Sequence, residues 1–518
     1  MRRPLVGARR GRRLIRGSIL GALVAVVGWS NRASASPLFE TTGGVAGQGG
    51  FNARSFQGGA ANAYFNPAFL PGAEAGFELG VFVLADEIGI RGAARPAGAD
   101  IPTAAAGATF PNDPLPHNGV PTQWLQNGSK EPLIAARPRQ AGGSGHNLRA
   151  YQVVGLVHKF FDGRLGLGIY GMIPYGTFTS AAAFYSDERE QYFSNSLHYE
   201  LYSDRMTATS IAFATGLALT DRLSLGVAAT LGLKATAASP AYLKSIGAFQ
   251  DILLDANVSV NTSLTPHFGA LYRPTDRWNL TATVHTPQKF EVDAKFKFLV
   301  VTGENNGVDE GAAIGFTHSY LPWKISLGSS FDVVRTKETT LSVVGTALYA
   351  DWSSYIDRHN ARPSGPYAWY DTLSGSLGMR LERGPARALF DAAYEPSPVP
   401  DQTGRTNYVD NDRIAGVAGF DYAFKFFNGK LRTGLQMQVH RLLPRTTTKL
   451  AAYSQGMTRP DLVIDEVPDD ATAGIDPVTG SPKPLAGREG LQTNNPGWPG
   501  FYSAGWILGG SLHVTFHY

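Results

Sequence analysis

The sequence has no cysteine and few charged residues. The absence of Cys from all 518 positions excludes a disulfide-bonded scaffold and a thiolate metal site. Charged residues make up 17% of the chain, whereas soluble domains carry about 25%. Because 43% of the residues are hydrophobic, the chain is not a disordered polyelectrolyte either. The low charge is the first sign of a surface that does not face water.

Acidic residues are absent from positions 1–35, where eight arginines stand. An apolar run, 19–27, follows Arg16, and Ala33-Ser34-Ala35 comes soon after it. A basic start, a short apolar core and a small-residue site together predict a cleaved secretory signal peptide over residues 1–35. Without those arginines Lys plus Arg falls from 46 to 38 against 42 Asp plus Glu, so the net charge changes from +4 to −4. The excess of basic residues therefore belongs to the export signal and not to the mature protein. No nucleic-acid partner is predicted.

Long hydrophobic runs are also missing. Beyond the leader no run reaches the roughly 18 apolar residues that would indicate a transmembrane helix. The segments 223–234, 431–440 and 506–518 instead alternate between apolar residues and polar or small ones. Alternation sustained over about ten residues is typical of a β-strand that faces lipid on one side and a lumen on the other.

Tight polar turns set the number of strands. Each interval between successive turns accommodates two strands and one longer loop, so six turns, one preceding strand and one following strand predict fourteen strands. The fold class is therefore all-β, a 14-stranded antiparallel transmembrane β-barrel over residues 77–518. A soluble β-sandwich or propeller is the alternative, but it leaves the repeated lipid-like face without a partner sheet. The turns are at 162–163, 220–222, 275–277, 335–337, 383–385 and 428–429, and the tryptophans predicted for an interfacial belt are Trp278, Trp323, Trp352 and Trp506.

Residues 36–76 precede the first strand and are rich in Gly, Ala and Asn, with spaced aromatic residues. The segment is too small to fold alone and too apolar for a solvated tail. A segment that must be buried, placed ahead of a barrel, is predicted to enter the lumen as a hatch that plugs it.

Three short motifs stand in order along the chain. They are Asn66-Pro67-Ala68, then Leu321-Pro322 leading to Asp351-Trp352-Ser353, and finally Ser397-Pro398-Val399-Pro400 followed by 410–413. Together they resemble the FadL family of outer-membrane transporters. Members of that family carry long-chain fatty acids or, in the TodX-like branch, aromatic hydrocarbons.

The resemblance implies a fourteen-stranded barrel with an N-terminal hatch in a Gram-negative outer membrane. Phe65, Asn66, Pro67 and Ala68 would then set the resting position of the hatch and its gating. Asn before Pro also commonly initiates a turn. The alternative is therefore that Asn66 only shapes the backbone of the hatch. Tyr518 resembles the terminal aromatic signal of the outer-membrane assembly machinery. The partners expected are that machinery, outer-membrane lipids and a hydrophobic small molecule, with the protein acting as a monomer.

The third predicted strand contains a strand breaker. Pro174 lacks the N–H that a β-ladder requires, and Gly171 and Gly176 flank it. In FadL-like proteins a kink in the third strand opens sideways into the membrane, so these residues are expected to form a lateral opening. The alternative is that Pro174 only marks the end of the strand.

Two loops are candidates for capturing a hydrophobic substrate, as the resemblance implies. Apolar residues recur at helical spacing after Pro240, which predicts a short amphipathic helix. The second loop begins with two aromatic residues. The alternative is that the two loops only pack on each other. The substrate-binding candidates are Leu243, Ile246, Phe249, Leu253, Phe296 and Phe298.

Enzyme signatures are weak. Gly166-x-Gly168-x-x-Gly171 matches a dinucleotide fingerprint, but it lies within an alternating strand with no helix after it. No cofactor, metal site or catalytic residue is predicted, and His440, His513 and His517 are expected to line the lumen. The prediction is a passive transporter for hydrophobic molecules. A general porin is the alternative, followed by an outer-membrane lipid-acting enzyme or adhesin.

Overall fold

The computed structural model describes most of the chain between residues 37 and 518. The described residues are 37–92, 141–175, 198–206, 209–243, 252–254, 257–302, 305–357, 362–363, 368–400, 408–448 and 500–518. The strands are β1 Gly76–Gly92, β2 Ala141–Phe160, β3 Leu165–Pro174, β4 His198–Tyr199, β5 Ser210–Ala218, β6 Leu223–Leu243, β7 Ile252–Leu254, β8 Asn257–Thr275, β9 Trp278–His285, β10 Gln288–Thr302, β11 Asn305–Leu321, β12 Lys324–Arg335, β13 Thr339–Ala350, β14 Thr372–Arg383, β15 Ala386–Glu395, β16 Tyr408–Val409, β17 Arg413–Phe426, β18 Gly429–Thr448 and β19 Gly500–His517. Short helices cover Leu38–Thr42, Gly59–Ala61, Asn62–Phe65, Pro67–Gly72, Ser203–Met206 and Trp352–Ser354.

Fourteen of these strands form a closed antiparallel barrel. Closure is made by β1 and β19, which pair continuously from Gly76↔His517 to Gly92↔Phe501. The fold prediction is confirmed, including the strand count. The ring runs β1, β2, β3, β5, β6, β8, β9, β12, β13, β14, β15, β17, β18 and β19, each pairing with the next.

All six predicted tight turns lie at one end of the ring, which we call the turn end, and the other end is the loop end. The outer surface is apolar along the strands, as the alternation predicted. On β18, Leu435, Met437 and Val439 are exposed, whereas Gln438 and His440 are buried inside. An apolar outside around a polar inside is the arrangement of a transmembrane barrel.

Of the four tryptophans predicted for an interfacial belt, three are exposed on the outside of the barrel and one is not. Trp278, Trp323 and Trp506 are between 38% and 44% exposed, and Arg441 lies over the Trp506 ring with Cζ 4.5 Å from its centroid. Trp352 is 2% exposed. It lies in a short helix that folds over the loop end rather than at the outer wall.

At the loop end β6 continues past the ring and pairs in parallel with β10, from Ala235↔Val292 to Tyr242↔Leu299. The chain turns back through β7 beside β6 and through β11 beside β10. The predicted amphipathic helix is therefore wrong where the chain is described, because residues 240–243 and 252–254 are strands. A short apolar run is compatible with either a helix or a strand. Here the hydrogen-bonded pairing with neighbouring strands makes it a strand.

The hatch segment, residues 37–75, lies within the ring, where its side chains contact several strands. Leu38, Phe39, Tyr64, Phe65 and Leu70 are each at most 2% exposed. The main core thus lies between the hatch and the inner wall instead of between two sheets.

None of the helices in the described ranges has the length and apolar content needed to cross a membrane.

Candidate transport pathway

Asn66 organises the middle of the hatch. Its Oδ1 accepts from Ala68 N at 3.2 Å and caps the helix Pro67–Gly72, while its Nδ2 donates to Arg54 O at 3.0 Å. Asn62 acts similarly, accepting from Gly58 N at 2.6 Å and donating to Ala53 O at 2.8 Å. A cap of this kind satisfies backbone groups that burial would otherwise leave unpaired. Two asparagines thus hold the hatch backbone in shape.

The wall approaches the Asn66-Pro67-Ala68 segment at glycines. A Cβ on Gly216 would lie 2.2 Å from Pro67 O, one on Gly226 would lie 2.4 Å from Pro67 C, and one on Gly269 would lie 2.2 Å from Asn66 Oδ1. These glycines belong to the neighbouring strands β5, β6 and β8 and stand level with one another in the ladders. They form a groove in the inner wall that admits the hatch.

Glu40 joins the hatch to the wall through buried charges. Its Oε1 accepts from Arg54 Nη2 at 2.6 Å and from Tyr64 Oη at 2.5 Å, and its Oε2 accepts from Lys324 Nζ on β12 at 2.7 Å. Burial by itself would raise the pKa of Glu40, but Arg54 and Lys324 outweigh burial and hold that pKa well below its usual range. The carboxylate therefore stays ionised and bonded at neutral pH.

A second anchor joins β14 and β15 to the hatch turn. Arg380 Nη1 lies 2.5 Å from Asp391 Oδ1, and both side chains are buried. Asp391 Oδ2 accepts from the N–H groups of Phe51 at 2.8 Å and Asn52 at 3.3 Å. Arg380 in turn donates to the carbonyl oxygens of Gln48 and Gly49, at 2.7 and 2.8 Å. We call this group the Arg380–Asp391 clamp.

The turn end of the lumen is polar. A cavity of about 220 Å³ opens there beneath the hatch, bordered by Gly47–Gln48 and 56–60. The Glu and Arg residues that line it come from the strands of the wall and, in the case of Glu74, from the segment just before β1. They are Glu74, Glu78, Arg380, Glu382, Arg387 and Arg432.

The third motif of the sequence, Ser397–Pro400 with residues 410–413, closes part of the loop end. Ser397 N donates to Asp412 Oδ1 at 2.8 Å, so the two halves of the motif meet. Arg445 donates to Ser397 Oγ at 3.2 Å and to Val399 O at 2.9 Å. Asn411 Nδ2 donates to Ser503 O at 3.0 Å. These contacts join residues 397–399 and 411–412 to each other and to β18 and β19 at the loop end.

An aromatic cluster that the sequence did not reveal lies beside this loop. Trp369 stacks on Tyr355, with ring centroids 3.5 Å apart, and both contact Tyr408 and Trp352. Tyr355 donates its hydroxyl hydrogen to Glu200 Oε2 at 2.8 Å. The cluster joins three separate loops, so no local pattern indicates it; the one available signal is the unusual density of Trp and Tyr between 349 and 370.

Pro174 is the last residue of β3. β3 pairs with β2 from Leu165↔Phe160 to Pro174↔Tyr151 without a register shift. The strand is therefore regular at Gly171. On the other side, the ladder with β5 ends at Met172↔Ser210. Ile173 and Pro174 thus extend beyond the β5 ladder in the described chain, and Gly176 lies outside the described residues.

The predicted substrate-binding residues lie only partly within the described chain. Leu243 ends β6, Leu253 is in β7, and Phe296 and Phe298 are in β10, so the parallel β6–β10 pairing brings the two predicted loops together. Ile246 and Phe249 lie outside the described residues. The hatch residues Phe65, Asn66, Pro67 and Ala68 are all buried against the wall.

Neither a family model nor a curated protein sequence matches this chain. Solved structures do. One is a Pseudomonas aeruginosa FadL homologue, at 14% identity over 94% of this chain and 98% of that one, with a TM-score of 0.49. The P. putida toluene transporter TodX has 12% identity over 94% and 99%, with a TM-score of 0.43. The Ralstonia pickettii toluene transporter TbuX has 11% identity over 94% and 100%, with a TM-score of 0.41. These likenesses concern the fold alone.

Proposed function

We propose that the protein is a passive transporter of hydrophobic small molecules, long-chain fatty acids or aromatic hydrocarbons, in the outer membrane of a Gram-negative cell. The observation that carries the proposal is the hatch. It crosses the lumen and is fixed to the wall by Glu40–Lys324 and by the Arg380–Asp391 clamp. A general porin needs an open aqueous channel, for which such a hatch has no use.

In this proposal the substrate is captured at the loop end, where β6 and β10 pair. Binding then shifts the hatch between two positions, because a ligand that prefers one position changes the population of both. Phe65 and Asn66 would transmit that shift, since both are buried beside Arg54 and therefore near the Glu40 anchor. No catalytic group is required for this cycle.

Release is proposed to be lateral, near Pro174. The end of the β3–β5 ladder at Met172↔Ser210 supports this, because backbone beyond a ladder can separate without breaking strand pairs. An apolar molecule that leaves into hydrocarbon rather than water gains about 0.8 kcal/mol per CH₂. An apolar molecule that left through the polar cavity at the turn end would not gain this free energy of transfer.

The test is uptake measured in proteoliposomes that contain the purified protein. Tritiated oleate and toluene are both offered, and swelling with sugars reports an open pore. Uptake of at least one hydrophobic probe without sugar swelling is expected; sugar swelling without hydrophobic uptake would establish a porin instead. Pro174→Ala should slow the uptake, whereas Pro385→Ala, in a turn at the opposite end, should not. Equal uptake by both variants would refute release at β3.

A further inference from the structure

Glu78 is a buried carboxylate without a partner at the turn end of the lumen. It is the third residue of β1, is 3% exposed and lines the cavity of about 220 Å³. No ion pair or hydrogen bond from the described residues reaches it, and its Oε1 is fully enclosed. A buried acceptor without a donor destabilises the folded protein, and a charged acceptor does so most strongly. Glu78 is therefore suited to a ligand that donates a hydrogen bond and carries a positive charge.

The other charged groups that line this cavity have partners of opposite charge among the described residues. Four pairs account for them: the Arg380–Asp391 clamp, Arg387 with Glu382 at 3.0 Å, Lys430 with Glu74 at 2.5 Å, and Arg432 with Asp421 at 3.9 Å. His517 Nε2 lies 3.4 Å from Glu74 Oε2, so a proton on that ring would serve Glu74. The charges within the four pairs cancel. Glu78 is left as a fifth carboxylate without a counter-charge.

The electrostatic surroundings of Glu78 favour a cation. Within the described chain, the one charged group that acts on its carboxyl is Asp421 of β17, which is also an acid. Arg432 does not pair with Glu78, because Thr515 of β19 lies between them in the ladder and places them two strands apart. A positive ligand is therefore attracted to this end of the cavity, and a negative ligand is repelled.

The site suits an ammonium group better than a metal ion. In the parts of the chain that the structure describes, no three His, Asp or Glu side chains come together in a way that could hold a metal ion. Ca²⁺ takes about six to eight oxygen ligands, whereas Glu78 offers one carboxylate. An ammonium group brings one positive charge and three N–H donors, and it needs no complete shell of anionic ligands.

The hatch lies directly against Glu78. A Cβ on Gly59 of the hatch would lie 3.8 Å from Glu78 Oε2. On the neighbouring strand β2, a Cβ on Gly155 would lie 2.5 Å from Ala60 Cβ and 3.1 Å from Glu78 Cβ. Hatch residues 56–60 line the same cavity. A ligand held by Glu78 is therefore enclosed between the hatch and the wall, and it stabilises the arrangement in which the two are docked.

We propose that the turn-end cavity binds a small organic cation through an ammonium group, with Glu78 as its counter-charge, and that the bound cation stabilises the docked hatch. The cation is a ligand of the hatch and not the transported molecule, so the site goes beyond the proposed function. The cavity volume of about 220 Å³ has room for a molecule of several non-hydrogen atoms.

Thermal unfolding of the purified protein in detergent tests the site. Methylammonium chloride is compared with tetramethylammonium chloride and sodium chloride at equal ionic strength. Methylammonium has N–H donors, tetramethylammonium has the same charge without them, and sodium is a bare metal ion. We expect methylammonium alone to raise the melting temperature by a few degrees. Equal melting temperatures in the three salts, or equal stabilisation by tetramethylammonium, would overturn the proposal.

Glu78→Gln separates the site from a general effect of the salt. The variant keeps the shape of the side chain and removes the unpaired charge. We expect it to melt at a higher temperature than the wild type in sodium chloride and to lose the response to methylammonium. Glu87→Gln is the matched control, because Glu87 lies on the same strand in an exposed position, and it should respond as the wild type does. A response that persists in Glu78→Gln would refute the role of Glu78.

Limited proteolysis gives a second measurement, which reports on the hatch itself. Methylammonium should slow cleavage within residues 37–75 of the wild type severalfold and should have no effect in Glu78→Gln. Unchanged cleavage of the wild type would show that the cation does not stabilise the docked hatch. None of these measurements involves transport, so a negative result refutes the cation site alone. Absence of oleate and toluene uptake would refute the proposed function alone.

Discussion

Arg380 and Asp391 form a two-point ion pair across the β14–β15 ladder, with Nη1–Oδ1 at 2.5 Å and Nη2–Oδ2 at 3.0 Å. The same carboxylate accepts two backbone N–H groups of the hatch, and the same guanidinium donates to two of its carbonyl oxygens. A pair within the wall thus also serves as the docking site of the hatch. Hatch position and wall electrostatics are consequently coupled.

Asp391→Asn should release the hatch turn. The change leaves Arg380 buried without its counter-charge, which costs about 3–5 kcal/mol, and it weakens the bonds to Phe51 and Asn52. We expect a lower melting temperature and measurable swelling of proteoliposomes in sugar. Glu382→Gln is the control, because Glu382 pairs with Arg387 at the solvent-exposed mouth of the turn-end cavity, where a pair contributes about 0–1 kcal/mol. Equal behaviour of the two variants would show that the clamp does not hold the hatch.

Gly226→Val should push the hatch out of its groove. A Cβ there would lie 2.4 Å from Pro67 C and 2.5 Å from Ala68 N, both backbone atoms that cannot rotate away. Overpacking of this kind costs about 1–3 kcal/mol, and we expect faster proteolysis within residues 37–75. Gly510→Val adds the same side chain where no atom lies within 4 Å and should leave the hatch protected. A protected hatch in both proteins would contradict the groove.

The barrel could be predicted from the sequence because its determinants are local. Alternation such as Leu435, Met437 and Val439 against Gln438 and His440 identifies the two faces directly, and each tight turn marks a strand pair. The helix after Pro240 could not be predicted correctly, because its apolar spacing fits a strand equally well. Pairing with β10, whose residues lie 57 positions further along the chain, determines the structure of residues 235–242.

The site was predictable only in part, for a similar reason. Asn66-Pro67 signals a turn by itself, and the turn is present. The partners of Glu40 are 14, 24 and 284 residues away, and those of the clamp are more than 300 residues away in the chain. Trp352 was expected in the outer belt. The sequence around a tryptophan near the end of a strand does not distinguish a side chain that faces lipid from one that folds inward. Only the closed ring brings such residues together.

Asp410 should make the loop end sensitive to pH. Burial raises the pKa of Asp410 to about 7, whereas an unfolded Asp has a pKa of about 3.9. A raised folded pKa means that the contribution to stability is complete below about pH 4 and is lost as the pH rises through 7. Melting temperatures measured from pH 4 to pH 8 should fall accordingly. Asp410→Asn should flatten that fall, and an unchanged profile in the variant would assign the effect to another group.

Trp369→Ala should open the aromatic cluster at the loop end. Trp369 is 2% exposed and contacts Trp352, Tyr355 and Tyr408, so its removal leaves a cavity that costs about 3–5 kcal/mol. Because Tyr355 also binds Glu200, the loss should propagate to the segment that carries β4. Near-ultraviolet circular dichroism should lose the signal of the stacked pair, and hydrogen exchange should rise in residues 198–206. Trp506→Ala, at the outer belt, removes the same side chain from an exposed site and should leave that exchange unchanged. If exchange in 198–206 stayed at the wild-type level in Trp369→Ala as well, the cluster would not be what joins the three loops.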